Sequence, residues 1–120
     1  MYIKDRKKCE EIVAVDRTSL REILNPRREP GLACRYSLAE ARVVPGQETL
    51  PHKLKTSEVY YILEGEAEMR IGQDRQKVCP GQAIYIPPHS IQSIKNTGRL
   101  ELVFLCLVDP AWRAEDEELA

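Results

Sequence analysis

The segment from Gly46 to Gly65 reads Gly-Gln-Glu-Thr-Leu-Pro-His-Lys-Leu-Lys-Thr-Ser-Glu-Val-Tyr-Tyr-Ile-Leu-Glu-Gly. A second segment, from Gly81 to Asn96, reads Gly-Gln-Ala-Ile-Tyr-Ile-Pro-Pro-His-Ser-Ile-Gln-Ser-Ile-Lys-Asn. Both contain short runs rich in Ile, Val and Tyr, and Gly or Pro interrupts these runs. This pattern is typical of short strands that are joined by turns.

The same pattern extends over most of the chain. Gly, Pro and Asn separate the predicted strands, which run over 18–24, 32–44, 58–64, 67–71, 76–79, 83–86, 91–95 and 100–108. So many short strands predict an all-β fold, an antiparallel double-sheet jelly-roll barrel. Asp109 followed by Pro110 predicts the start of a short C-terminal helix, because Asp suits the N-cap and Pro the first helical position.

The length of 120 residues predicts one domain. We expect a barrel core over about 32–108, an N-terminal strand segment over about 12–25 and a helical tail over 109–120. The acidic run from Glu115 to Glu118 is expected to face solvent.

The charge balance excludes some classes of partner. The 18 basic and 19 acidic residues give a net charge of −1, so no positive field is present to hold nucleic acid. No segment approaches the roughly 20 apolar residues of a membrane span, and no signal-peptide run is present. The four cysteines form no Cys-x-x-Cys pair. We therefore expect a cytoplasmic protein with no membrane or nucleic-acid partner.

The two quoted segments resemble the motifs of the cupin superfamily. The first cupin motif has a glycine, two histidines one residue apart, a glutamate and a glycine, and it is matched here by Gly46, His52, Glu58 and Gly65. The second has a glycine, a proline, a glycine, a histidine and an asparagine, and it is matched by Gly81, Pro87 and Asn96. The resemblance covers about 37–108. It implies a small single-domain conserved-barrel cupin of the mannose-6-phosphate-isomerase-like type.

Three positions depart from the motifs. Leu54 stands where the first motif has its second histidine, Gln92 stands in the histidine position of the second motif, and His89 stands in its glycine position. The chain has only 2 histidines, so one subunit cannot form the three-histidine metal cage of the family.

The resemblance implies a divalent transition metal (Zn, Fe, Mn or Ni) in a degenerate site. His52 and Glu58 would be its core ligands, and Gln92 would complete the site through its amide oxygen, a weaker donor than imidazole. Because side chains alternate along a strand, His52 shares a face with Leu54. We expect the remaining wall of the pocket to include Leu54, Tyr60, Ile62 and His89.

Other interpretations of the two histidines stay open. His52 could form a buried hydrogen-bonded pair with Glu58 without metal, or it could be exposed and incidental. His89 follows Pro87-Pro88 and is either a turn residue at the rim or an additional ligand.

Three functions are compatible with this sequence. The first is a cupin that binds a small molecule of unassigned identity. The second is a metal-dependent enzyme, isomerase-like or dioxygenase-like, that acts on a small sugar or carbonyl compound. The third is a structural or interaction module with a closed pocket. Small cupins commonly form homodimers, and the segment with Leu20, Ile23 and Leu24 could supply an exchanged strand.

Overall fold

The computed structural model describes all residues, 1–120, and consists mainly of β-strands. Its only helical segments are two 3-10 turns, Arg6–Lys8 and Ala114–Asp116. The strands are β1 (Glu11–Val13), β2 (Ser19–Leu24), β3 (Ser37–Val43), β4 (His52–Leu54), β5 (Ser57–Glu64), β6 (Ala67–Ile71), β7 (Asp74–Val78), β8 (Ala83–Ile86), β9 (Gln92–Asn96), β10 (Leu102–Asp109) and β11 (Glu117–Leu119). The predicted all-β fold is confirmed.

Two antiparallel sheets face each other. The six-stranded sheet has the order β1-β2-β3-β10-β5-β8, and the five-stranded sheet has the order β11-β4-β9-β6-β7. Strands that are distant in sequence, such as β3 and β10, are neighbours in space, as the predicted jelly roll requires. No helix is both long enough and apolar enough to span a membrane.

Alternation along the central strands builds the core between the sheets. On β5, Glu58, Tyr60 and Ile62 point inward and are 7%, 4% and 0% exposed. The ring centroids of Tyr60 and Phe104 lie 4.5 Å apart. The inward side chains from both sheets pack into one core cluster, which removes their apolar surface from water.

The strand boundaries follow the prediction closely where turn residues mark both ends. The predicted strands 67–71 and 83–86 coincide with β6 and β8. The predicted strand 32–44 begins only at Ser37, because the preceding residues turn: Leu32 N–H donates to the Glu29 carbonyl at 3.1 Å. The three-residue strands β4 and β11 were not among the predicted strands, and β1 lies only partly within the predicted N-terminal strand segment, since three residues are too few to show a period.

The prediction of a C-terminal helix is wrong. After β10 the chain makes one 3-10 turn and then adds β11 to the free edge of β4. The N–H of Lys55 donates to the carbonyl of Asp116 at 2.9 Å, and that of Ala120 donates to the carbonyl of Pro51 at 3.0 Å. Pairing with an open strand edge satisfies these backbone groups, whereas a helix would end in a run of carboxylates, which its dipole disfavours.

Two residues that match the cupin motifs have structural roles at chain reversals. Gly65 has φ +85°, and a Cβ there would lie 2.9 Å from the carbonyl oxygen of Glu101. The side chain of Asn96 donates to the carbonyls of Val43 at 2.8 Å and Leu100 at 2.9 Å. Their types are therefore required by backbone conformation and by buried hydrogen bonds.

Candidate functional site

His52 lies on β4 and is 2% exposed, so it is not an incidental surface residue. Its Nδ1 lies 2.9 Å from the carbonyl oxygen of Leu50 and 3.6 Å from Oδ2 of Asp16. A carbonyl only accepts hydrogen bonds, so Nδ1 carries a proton and donates it to Leu50. In the neutral ring Nε2 is then unprotonated and can accept a hydrogen bond or bind a cation.

Gln92 connects the two other predicted ligands. It is the cross-strand partner of His52, and its Nε2 donates to Oε1 of Glu58 at 3.0 Å. All three side chains are buried. The structure therefore brings together His52, Glu58 and Gln92, which come from β4, β5 and β9. The buried polar pair is Glu58 with Gln92, whereas His52 is bonded to the backbone.

Glu58 has an unusual protonation state. Burial raises the pKa of its carboxyl group from 4.5 to about 8. The hydrogen bond from Gln92 opposes this shift, while the nearby acidic groups Glu117 and Asp16 add to it. In the absence of a bound cation, Glu58 is mainly a neutral acid at neutral pH and can donate a hydrogen bond.

One polar atom of this group has no hydrogen-bond partner. Oε1 of Gln92 is buried and has no hydrogen-bond partner, and the residue as a whole is only 1% exposed. An unpaired buried acceptor costs about 1–3 kcal/mol, so it is a place where a ligand or an ordered water would be bound favourably.

A cavity of about 50 Å³ lies between the two sheets, and His52 and Glu58 line it, whereas Gln92 does not. Carboxyl groups from three different parts of the chain reach it, and no Lys or Arg side chain lines it. Its wall consists of Ala14, Asp16, Thr18, Leu20, Glu22, Ser37, Ala39, His52, Glu58, Tyr60, Phe104, Cys106, Val108, Trp112 and Glu117. The cavity is therefore acidic, with an aromatic side.

The predicted pocket residues are divided by the structure. Tyr60 lines the cavity, whereas Ile62 belongs to the core cluster and Leu54 is buried outside the cavity wall. His89 is exposed, has φ +66° and donates its N–H to the carbonyl of Leu54 at 2.7 Å. The left-handed conformation explains why a cupin motif has glycine at this position, and it makes His89 a turn residue at the rim.

Three cavity residues were missed by the sequence analysis. Asp16 is 5% exposed, and its Oδ1 accepts the N–H of Thr18 at 3.1 Å, a local turn that the Asp-x-Thr spacing could have indicated. Glu117 and Trp112 come from the C-terminal segment, and both line the cavity. The acidic run was expected to face solvent, but Glu117 faces the cavity.

The other titratable groups of the cavity do not form a nucleophile. Burial and the proximity of Glu58 raise the pKa of the Tyr60 phenol and of the Cys106 thiol well above their usual values. Both groups are therefore neutral at neutral pH. No three side chains among His, Cys, Asp and Glu converge on one point as metal ligands do.

A second, larger cleft lies elsewhere on the molecule. It has a volume of about 720 Å³ and lies between β7 and β8, with Arg75 and Tyr85 in its wall. It contains none of the residues predicted to form the site.

The fold and the site together define a double-sheet β-barrel that encloses a small polar cavity. The Cupin domain family matches residues 39–108, and the chain belongs to this family. An uncharacterized protein from Methanocaldococcus jannaschii is 40% identical over 113 residues, which cover 93% of this chain and 89% of that protein.

Solved structures give the same fold. A Cupin 2 conserved barrel domain protein from Salinispora arenicola is 17% identical with a TM-score of 0.78, covering 96% of this chain and 91% of that one. A predicted oxalate decarboxylase from Thermotoga maritima is 20% identical with a TM-score of 0.77, covering 91% and 99%. At these identities the likeness shows the fold alone.

Proposed function

We propose that this cupin binds a small polar ligand inside the barrel, in the cavity beside His52, Glu58 and Gln92. The observation that carries this proposal is the buried carboxyl group of Glu58, which lines the cavity without a cationic partner and accepts a hydrogen bond from Gln92, whose Oε1 is unpaired. Stability alone would favour apolar groups at both positions. Such uncompensated polar groups in a cavity are typical of a binding site.

The available groups define the chemistry of the ligand. Of the groups that line the cavity, Nε2 of His52 can accept a hydrogen bond and Glu58 can either donate or accept one. A ligand with N–H or O–H groups would satisfy both. Oxalate, the substrate class in the name of the Thermotoga maritima protein, is a dianion. A dianion does not suit this cavity, because no Lys or Arg lines it to balance the charge.

A divalent transition metal (Zn, Fe, Mn or Ni) is the second candidate. The residues fit such a metal in part. Nε2 of His52, the Glu58 carboxylate and Oε1 of Gln92 are three possible metal ligands, and none of them is paired with a Lys or Arg side chain. Such a metal would supply Lewis acidity for an isomerase-like or dioxygenase-like reaction on a small sugar or carbonyl compound. His52 would hold the ion and Glu58 would give up its proton.

The size of the cavity favours a third candidate, a structural module with a closed pocket. Pockets for drug-sized ligands measure about 300–1,000 Å³, whereas this one measures about 50 Å³. That volume suits an ion, a few waters or a molecule of a few heavy atoms. A sugar would require the C-terminal segment to move.

We further propose that the chain acts in the cytoplasm as a homodimer. All four cysteines are free, as a reducing compartment maintains. In the structure β2 lies between β1 and β3, so Leu20, Ile23 and Leu24 are not the free edge. The edge strand at this end of the sheet is β1, and several exposed apolar residues lie on or near it: Met1, Ile3, Ile12, Val13 and Val15.

The test of ligand binding uses NMR titrations of isotope-labelled protein. The probes are acetamide, ethylene glycol and the four divalent metals, and the signals are the Gln92 side-chain amide and the His52 ring. We expect saturable shifts with at least one probe, and we expect them to disappear in Gln92→Met. The exposed Gln76→Met serves as the matched control. If no probe, metals included, shifts these signals, the closed module is the correct interpretation.

A metal titration separates the second candidate from the first. His52→Ala should abolish metal binding, and Leu54→His should tighten it, because it adds an imidazole on the same strand as His52. His89→Ala should leave metal binding unchanged. If neither wild type nor Leu54→His takes up a divalent metal at neutral pH, the metal candidate fails, while binding of a neutral probe would still support the first.

A further inference from the structure

The outer surface of the six-stranded sheet is apolar. On β5, Val59, Tyr61 and Leu63 alternate with the inward side chains and point away from the core. The register places Leu107 of β10 and Tyr85 of β8 on either side of Val59, and directly paired residues of antiparallel strands share a face. With Leu105, the β10 partner of Tyr61, these side chains form the outer apolar face: Val59, Tyr61, Leu63, Tyr85, Leu105 and Leu107.

The outer surface of the five-stranded sheet is polar by contrast. Glu68 on β6 is the partner of Lys77 on β7 and of Lys95 on β9. In the next row, the side chain of Arg70 bonds to Glu68 and to Glu48, each at 3.0 Å. Such a charged outer surface is normal for an antiparallel sheet with one side in water. The outer apolar face contains no charged residue, which is typical of strands that are covered on both sides.

One margin of the outer apolar face is already covered by the chain itself. Glu40 on β3 is the partner of Leu105, so it lies on the same side of the sheet, and it is buried. Its carboxylate is paired with Arg6 of the N-terminal segment at 2.5 Å and with Arg42 at 3.0 Å. The charge at this margin is therefore balanced within the chain. At the other margin β8 is an edge strand, and its Tyr85 is 61% exposed.

The exposed area is large enough for the centre of a stable interface. Tyr61, Leu63 and Leu107 are 43%, 39% and 37% exposed. At roughly 200 Å² for each such side chain, these three and Tyr85 leave about 350 Å² of mainly apolar surface in water. A stable interface buries about 800 Å² on each partner, with an apolar centre that is often rich in Tyr and a polar rim. The four side chains alone therefore supply close to half of the area that a dimer needs.

Building on the proposed homodimer, we propose that the outer apolar face is its interface and that it packs against the same face of a second copy. An uncharged face is matched by another apolar face, and every copy of the chain carries one, as a two-fold symmetric dimer requires. Tyr61 lies in the middle of the interface, next to Leu105. Because β1 belongs to the same sheet, Val13 lies towards the margin of this interface.

The test measures the dissociation constant of the dimer by sedimentation over a dilution series of the full chain. Tyr61→Lys and Leu107→Lys each place a charge in the centre of the interface, and each should weaken the dimer at least about thirtyfold. Ile91→Lys is the matched control, because Ile91 is 47% exposed and precedes β9 of the other sheet. Tyr85→Lys is a further variant that the fold tolerates easily, since its side chain is already mainly in water.

A second measurement needs no substitution in the protein. In NMR spectra of wild type with a soluble paramagnetic agent, the ring signals of Tyr61 and Tyr85 should be protected at high protein concentration. This protection should disappear on dilution, when the dimer dissociates. The methyl signals of Ile91 should stay accessible to the agent at every concentration.

The outcomes separate the interface from the dimer itself. If wild type is a dimer whose dissociation constant is unchanged in Tyr61→Lys, Leu107→Lys and Tyr85→Lys, the outer apolar face is not the interface, and the dimer stands without it. Rings of Tyr61 and Tyr85 that remain accessible in the dimer would overturn the proposal in the same way. If wild type is a monomer at all concentrations, the homodimer and its interface fail together.

Discussion

Replacement of Glu58 by Gln should make the protein more stable and less sensitive to pH. Gln has nearly the same shape as Glu and retains an oxygen that can accept the hydrogen bond from Gln92, now 3.0 Å long. It cannot lose a proton. The variant therefore removes the cost of ionising a buried carboxyl group and changes little else in the barrel.

The magnitude follows from the pKa of Glu58, which burial raises from 4.5 to about 8. The folded state therefore holds this proton more tightly than the unfolded state. Its contribution is fully present below pH 4.5 and is lost as the pH rises to about 8, at about 1.4 kcal/mol per pH unit. Relative to Glu58→Gln, wild type should be less stable by about 3 kcal/mol at pH 7 and about 5 kcal/mol above pH 8.

Urea unfolding between pH 5 and 9, with a chelator and at constant protein concentration, measures this difference. Glu64→Gln is the control, because Glu64 lies on the same strand and is exposed. We expect the free energy of unfolding of Glu58→Gln to fall less steeply with pH than that of wild type. The difference in slope should correspond to close to one proton. The free energy of unfolding of Glu64→Gln should follow wild type. Parallel curves for wild type and Glu58→Gln would refute the assignment of a buried neutral acid.

Three further predictions concern the fold and its assembly. Gly65→Ala should cost about 3 kcal/mol in urea unfolding, because the φ of Gly65 is +85° and a backbone oxygen lies 2.9 Å from the new Cβ. The comparison is Gly72→Ala, which should cost about 1 kcal/mol, since Gly72 has φ +58° and no atom lies within 4 Å of its new Cβ. Asn96→Ala should cost about 3 kcal/mol by the same assay, since it leaves the buried carbonyl of Val43 and the partly buried carbonyl of Leu100 without their donor. A loss below about 1 kcal/mol would contradict this. Light scattering should give twice the chain mass of 13.8 kDa. Val13→Asp should reduce the measured mass towards that of the monomer, whereas the control Leu100→Asp, also at an exposed apolar residue, should not. A monomeric mass for wild type would disprove the dimer.

The sequence alone was sufficient to predict the β-architecture and the central part of the site. Turn residues at both ends of 67–71 and 83–86 predicted β6 and β8, since Gly and Pro determine where a strand can continue. The motif spacing singled out His52, Glu58 and Gln92. The structure brings these residues together, with His52 and Gln92 paired across neighbouring strands of one sheet and Glu58 on the facing sheet. Alternation of side chains along a strand is a local property, so inward-facing residues can be recognised without knowledge of the fold.

Tertiary structure alone decided how the barrel is closed and which charges lie inside it. The acidic C-terminal run has no local feature that predicts pairing, and it becomes β11 only because β4 leaves an edge open beside it. That pairing turns Glu117 inward, and the turn before β2 places Asp16 against His52. These residues are separated by about a hundred positions in the sequence. The acidity of the cavity depends on such long-range contacts, which arise from the packing of whole sheets and not from the residues near each group.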